Sequence, residues 1–86
     1  DATAAGGMSA LEEKGIRIPE DIKVAGFDND LIMLPDRKPR RLTTLAQPMF
    51  EMGANAARLL LDDIKDSPQK KKRIIYYPEL VIGETT

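Results

Sequence analysis

The side chains best placed for chemistry are two carboxylates, Asp28 and Asp30, which flank Asn29 at the end of the apolar run Ile22-Lys23-Val24-Ala25-Gly26-Phe27. Such a run reads as a strand of a parallel sheet covered on both faces. In open α/β sheets ligands gather at the C-terminal edge of the strands, which is where Asp28 then stands. There an ionised carboxylate accepts strong, directional hydrogen bonds, as paired hydroxyls of a small polar ligand would offer. Position alone leaves two other readings open. Asp28 caps the turn that follows, or Asp28 through Asp30 hold Mg²⁺ through oxygen ligands, as a phosphoacceptor site would.

Other chemistries lack their residues. The chain contains neither cysteine nor histidine, which excludes disulfides and thiol chemistry and removes the usual zinc sites and the Ser-His-Asp arrangement. Gly6-Gly7 lies inside a helical pattern rather than ahead of one, and no GxGxxG or Walker pattern occurs to cradle a phosphate. Thr43-Thr44 is explained by β propensity. Tyr76 and Tyr77 alternate in a β-rich run, so at most one of them lines any site, and packing explains them better than stacking on a ligand. The expectation is a protein that is not an enzyme, with no catalytic residue, metal ligand set or cofactor.

The elements that must position Asp28 follow from pattern. Ala4, Met8 and Leu11 recur at helical spacing, with Glu12, Glu13 and Lys14 opposite and Gly15 placed to end the helix. The helix spans Ala2 to Lys14 with Asp1 as its N-cap. Its small residues suit either packing on the sheet of its own domain or an interface between subunits. Pro19-Glu20-Asp21 is a turn, and Leu42-Thr43-Thr44-Leu45 a short strand or extended crossover. Leu31 to Leu34 is a single turn or buried loop ended by Pro35. Pro48 opens a second helix to about Lys65, where Met49, Gly53, Ala56, Ala57, Leu60, Leu61 and Ile64 form one apolar stripe. Asp66-Ser67-Pro68 breaks it. Two β-rich stretches, 73–77 and 79–82, flank Pro78. The order α-β-loop-β-α-β-β is an α/β arrangement without its opening strands. A chain that starts directly at a helix in this way reads as the C-terminal piece of a longer protein.

Size and charge narrow the partners. At 86 residues there is room for one small domain with little core to spare. Thirteen basic residues against 14 acidic give a net charge of −1, no field that would favour nucleic acid. The basic runs 37–41 and 70–73 lack interleaved aromatics and are expected to be solvated loops. No apolar run approaches the roughly 18 residues of a membrane span.

The ordered set Ile18-Pro19-Glu20-Asp21-Ile22, Val24-Ala25-Gly26-Phe27-Asp28-Asn29, Leu42-Thr43-Thr44, Gln47-Pro48 with Met52-Gly53, and Pro78-Glu79-Leu80-Val81 resembles the C-terminal quarter of the lac repressor/galactose repressor family of bacterial transcription regulators. The resemblance covers essentially the whole chain. It implies an α/β fold, as a C-terminal fragment of a two-lobed, periplasmic-binding-protein-like effector domain. Residues 1–44 would belong to the C-terminal lobe, 45–47 to a hinge crossing, 48–75 to the N-terminal lobe and 76–86 to a return into the first. It further implies that Asp28 binds a sugar or similar polyol or nucleobase effector. Ala4, Ala5, Met8, Met33 and Leu34 would lie at a homodimer interface. Operator DNA would be bound only through an N-terminal domain absent from this chain, and the setting would be cytoplasmic, with no membrane partner. Ligand-dependent changes in lobe and dimer geometry would alter operator affinity. The alternative is a periplasmic sugar-binding protein of a transport system with the same two-lobed fold. Two departures stand out: Arg40-Arg41 precedes Leu42 where the family has proline or an apolar residue, and Gly83 stands where many members have arginine.

Overall fold

Helix α1 spans Ala2–Glu13, and its end follows from Gly15. With φ at 75°, Gly15 donates its N–H to the Glu12 carbonyl at 2.9 Å, and Ile16 donates to Leu11 at 3.1 Å. These are the paired bonds that close a helix on a left-handed residue. The computed structural model describes residues 1–30, 41–65 and 72–86. Within it the chain divides into two units, Asp1–Ala46 with Glu79–Thr86, and Gln47–Pro78.

In the first unit α1 turns Ala5 and Met8 inward against Ile18, with Leu11, Val24 and Leu42 packed around them. Gly6 and Gly7 lie on the exposed side, and a Cβ added to either meets nothing within 4 Å. The turn after α1 contains a cis Ile18–Pro19 peptide bond. It is closed by Arg17 and Asp21: the Asp21 carboxylate accepts the Arg17 backbone N–H at 2.9 Å and both Nε (3.0 Å) and Nη2 (2.9 Å) of its guanidinium. This two-pronged contact holds the exposed Asp21 carboxyl below its ordinary value and raises Arg17.

Three strands complete the unit: β1 (Ala25–Phe27), β2 (Thr43–Ala46) and β3 (Glu79–Val81), in the order β1-β2-β3. β1 runs parallel to β2 with Ala25 opposite Thr43 and Phe27 opposite Leu45. β3 runs antiparallel to β2 with Thr44 opposite Val81. Here the structure corrects the expected doubly covered strand. β1 is three residues long, and Ile22 and Phe27 are each 43% exposed. α1 packs along β1.

The second unit is built on α2, Met49–Lys65. Pro48 precedes it with its carbonyl accepting the Met52 N–H at 2.9 Å. Glu51 in the first turn and Lys65 in the last match the helix dipole. The expected stripe is present as a pattern but covers nothing, because no residue of α2 is buried; Leu60 and Ile64 are 61% and 71% exposed. The stretch expected as a strand before Pro78 is irregular. Tyr76 leaves the ladder instead and accepts a 2.6 Å hydrogen bond from Asn55 Nδ2, while Arg58 donates to Asn55 Oδ1 at 3.1 Å.

Two predictions follow from these local geometries. Gly15→Ala forces a Cβ into a left-handed residue and is expected to destabilise the chain by about 1–2 kcal/mol, whereas Gly7→Ala, in open helical space, stabilises it by about 0.5–1 kcal/mol. Urea denaturation midpoints moving in opposite directions would bear this out, and equal midpoints would contradict it. Because the folded Asp21 carboxyl lies below its unfolded value, its pairing contributes above about pH 3.9 and is lost as pH falls through the lowered value. NMR titration of the Asp21 carboxyl carbon should give a midpoint below that of the Arg17→Gln variant; coincident midpoints would remove the pairing.

Candidate ligand-binding edge

The parallel pair β1–β2 extends one residue past β1, where Asp28 N–H donates to the Leu45 carbonyl at 2.8 Å. The chain then leaves the sheet through two consecutive left-handed residues, Asp28 with φ at 99° and Asn29 with φ at 58°. Neither is glycine, so this path costs energy and must be held by its surroundings. Asn29 N–H donates to Thr44 Oγ1 at 3.3 Å, and Asp30 N–H donates to Asp1 Oδ2 at 2.8 Å. Thr44 Oγ1 in turn donates to Asp1 Oδ1 at 2.5 Å, the short contact of a charge-assisted bond. The Asp1 nitrogen reaches the Phe27 carbonyl at 2.9 Å. Asp28 itself is exposed at the C-terminal edge of β1.

Asp1 is thus not the side-chain cap expected of it. Its carbonyl accepts the Ala5 N–H at 2.9 Å, but the carboxylate makes no cap bond and lies across the strand ends. It can do so because position 26 is glycine: a Cβ there would run into Asp1 Oδ1 and into Leu42 Cδ2. A glycine inside a strand often marks such a close approach, which is the signal the sequence offered.

At the opposite end of the strands the C-terminal tail is tied in by hydroxyls. Thr85 Oγ1 donates to the Val24 carbonyl at 2.7 Å and accepts the Thr43 N–H at 3.0 Å. Thr43 Oγ1 accepts the Gly83 N–H at 2.9 Å and shares a 2.7 Å hydrogen bond with Thr86. Thr43, Thr44 and Thr85 are all buried, at 4%, 2% and 0% exposure. β propensity alone is therefore too weak an account of the Thr43-Thr44 pair.

Of the residues singled out in the sequence, Asp28 stands at the strand edge and Asp30 beside it, tied through its backbone to Asp1. No group of three or more acidic residues gathers here among the described residues. Ala5 and Met8 face into the core, and an intersubunit contact through these two side chains would require that packing to open; Ala4 is half-buried. Met33, Leu34, most of the two basic runs and the breaker after α2 lie outside the described residues. No described helix is long and apolar enough to cross a membrane.

Residues 1–86 match the family described as periplasmic binding protein-like domain. The HTH-type transcriptional repressor PurR of Vibrio atlanticus is 48% identical over 85 residues, 99% of this chain and 25% of that protein. The ribose operon repressor of Halalkalibacterium halodurans is 40% identical over 86 residues, 100% of this chain and 25% of that protein. The chain therefore spans about a quarter of the length of the curated relatives it matches. Among solved structures, a LacI-family transcriptional regulator from Enterococcus faecium with bound ribose superimposes with a TM-score of 0.65 at 39% identity, over 92% of this chain and 29% of that one. The two curated relatives are named as repressors and the solved structure as a LacI-family regulator, and the family match covers the whole sequence: the chain belongs to the periplasmic binding protein-like family, among LacI-family relatives.

Proposed function

We propose that this chain is the effector-binding and dimerisation portion of a bacterial transcriptional repressor, with Asp28 accepting hydrogen bonds from the hydroxyls or other polar groups of a small, sugar-like effector. The observation that carries the reading is an exposed carboxylate at the C-terminal edge of a parallel strand, on a left-handed backbone. Strain of that kind is retained where a side chain must be aimed. The regulator from E. faecium with bound ribose supports a polyol as ligand class. The repressor names of the relatives favour a regulator over the transport binding protein.

In this proposal residues 1–44 and 76–86 contribute to the C-terminal lobe and 48–75 to the N-terminal lobe, with 45–47 as the crossing. Effector binding acts by population shift, since a ligand changes an equilibrium only as far as its affinities for the two states differ. A homodimer in the cytoplasm binds operator DNA through a separate N-terminal domain. On α1 the half-buried Ala4 is the residue of the proposed interface best left available; Met33 and Leu34, also proposed for it, lie outside the described residues.

The test is Asp28→Asn in the full-length protein. Loss of charge from a hydrogen-bonded acceptor amounts to about 1.5–3 kcal/mol, so the effector concentration for half-maximal response in a reporter titration should rise roughly 10- to 150-fold. Operator binding without effector should stay within about twofold. An unchanged titration would remove Asp28 from the effector site, and lost operator binding in the effector-free protein would assign it a structural role.

A further inference from the structure

We infer that the Thr44 hydroxyl is the positioning group for Asp28, holding the Asp28–Asn29 turn in its left-handed path through one accepted and one donated hydrogen bond. Thr44 touches no ligand in this assignment; it acts through the backbone. The inference rests on the proposed effector role of Asp28 only in its consequence for binding.

The geometry gives the hydroxyl one task on each side. Toward the turn, Thr44 Oγ1 accepts the Asn29 N–H at 3.3 Å, one residue beyond Asp28. Toward the helix, it donates to Asp1 Oδ1 at 2.5 Å, and the other oxygen of that carboxylate accepts the Asp30 N–H at 2.8 Å. The three consecutive amides of residues 28, 29 and 30 thus end on the Leu45 carbonyl, the Thr44 hydroxyl and the Asp1 carboxylate. Thr44 is 2% exposed, so water does not substitute readily for either partner. Its place on β2, opposite Gly26 in the ladder, puts the hydroxyl under the turn, and Gly26 leaves the space that lets Asp1 reach it. A serine would keep both bonds; a valine, of similar shape, would keep neither.

The experiment compares Thr44→Val, Thr44→Ser and the far-end control Thr85→Val in the full-length protein, by amide hydrogen exchange read by mass spectrometry. Thr44→Val should accelerate exchange about five- to tenfold in the peptide containing residues 28–30, with peptides from α1 and α2 unchanged. Thr44→Ser should match the parent within twofold, and Thr85→Val should act on the tail and leave residues 28–30 as they were. With D-ribose as probe in calorimetry, Thr44→Val should weaken binding in step with the exchange, and Thr44→Ser should restore it. Unchanged exchange at 28–30 in Thr44→Val would overturn the assignment, as would an acceleration spread evenly over the unit. If exchange responds as expected while neither Thr44→Val nor Asp28→Asn alters ribose binding, the positioning stands and the ligand role of Asp28 falls. If Asp28→Asn weakens ribose and Thr44→Val leaves it unchanged, the positioning falls and the ligand role stands.

Discussion

A buried hydroxyl left without a partner costs on the order of 1–3 kcal/mol, and β2 buries two in succession, Thr43 and Thr44. Successive residues of a strand point to opposite faces, so the two hydroxyls must be satisfied by different neighbours. Thr44 finds the Asn29 amide and the Asp1 carboxylate, and Thr43 finds the Gly83 amide and the Thr86 hydroxyl. Meeting these two demands brings in the first residue described, the turn beyond β1 and the last four residues of the chain. With an apolar core of three buried residues among those described, Ala5, Met8 and Ile18, this polar stitching fixes much of the unit's arrangement. Hydrophobic burial is non-directional and cannot fix it alone.

The same constraint explains why the sequence was readable in some places and closed in others. Helix α1 and its end at Gly15, the turn at Asp21, the strand around Thr43 and the helix after Pro48 depend on neighbours in sequence. Their signals of periodicity, capping and proline placement are local, and all four elements stand where they were expected. The lateral extent of β1 and the fate of residues 73–77 depend on partners across the sheet. There a β-rich composition does not decide between a strand and an irregular segment whose tyrosine turns to Asn55. The strand-edge position of Asp28 was legible because an apolar run ending in a carboxylate implies it. The roles of Asp1, Thr44 and Thr85 were not, since each depends on contacts 15 to 61 residues away in sequence. Gly26 was the one local trace of that long-range arrangement.

Burial in the second unit makes a related point. A stripe at positions 49, 53, 56, 57, 60, 61 and 64 specifies that one face of α2 is to be covered, but carries nothing about what covers it. The described residues leave Met49, Leu60, Leu61 and Ile64 more than half exposed, so α2 gains little from tertiary packing. Its regularity then rests on helix propensity, the proline at its start and charges matched to its dipole. A helix of 17 residues is long enough for such local terms to matter and short enough to remain marginal on them alone. Helix α1 is the opposite case. Two glycines in its interior weaken it locally, and Met8 and Ala5 in the core compensate.

The strand edge also bears on the kind of output this fold is suited to. Here the side chains around Asp28 are engaged in holding backbone: Asp1 takes two donors, and the Thr44 hydroxyl donates one bond and accepts another. The arrangement therefore fixes the turn that carries the exposed Asp28. A rigid acceptor loses little entropy when a donor arrives, which favours affinity and directional selectivity. Binding energy of that sort becomes a signal only when one state of the protein presents the acceptor better than another. The left-handed turn at Asp28 and Asn29 is held by the Thr44 hydroxyl and the Asp1 carboxylate, and non-glycine residues persist in such a conformation only where their surroundings over-determine it.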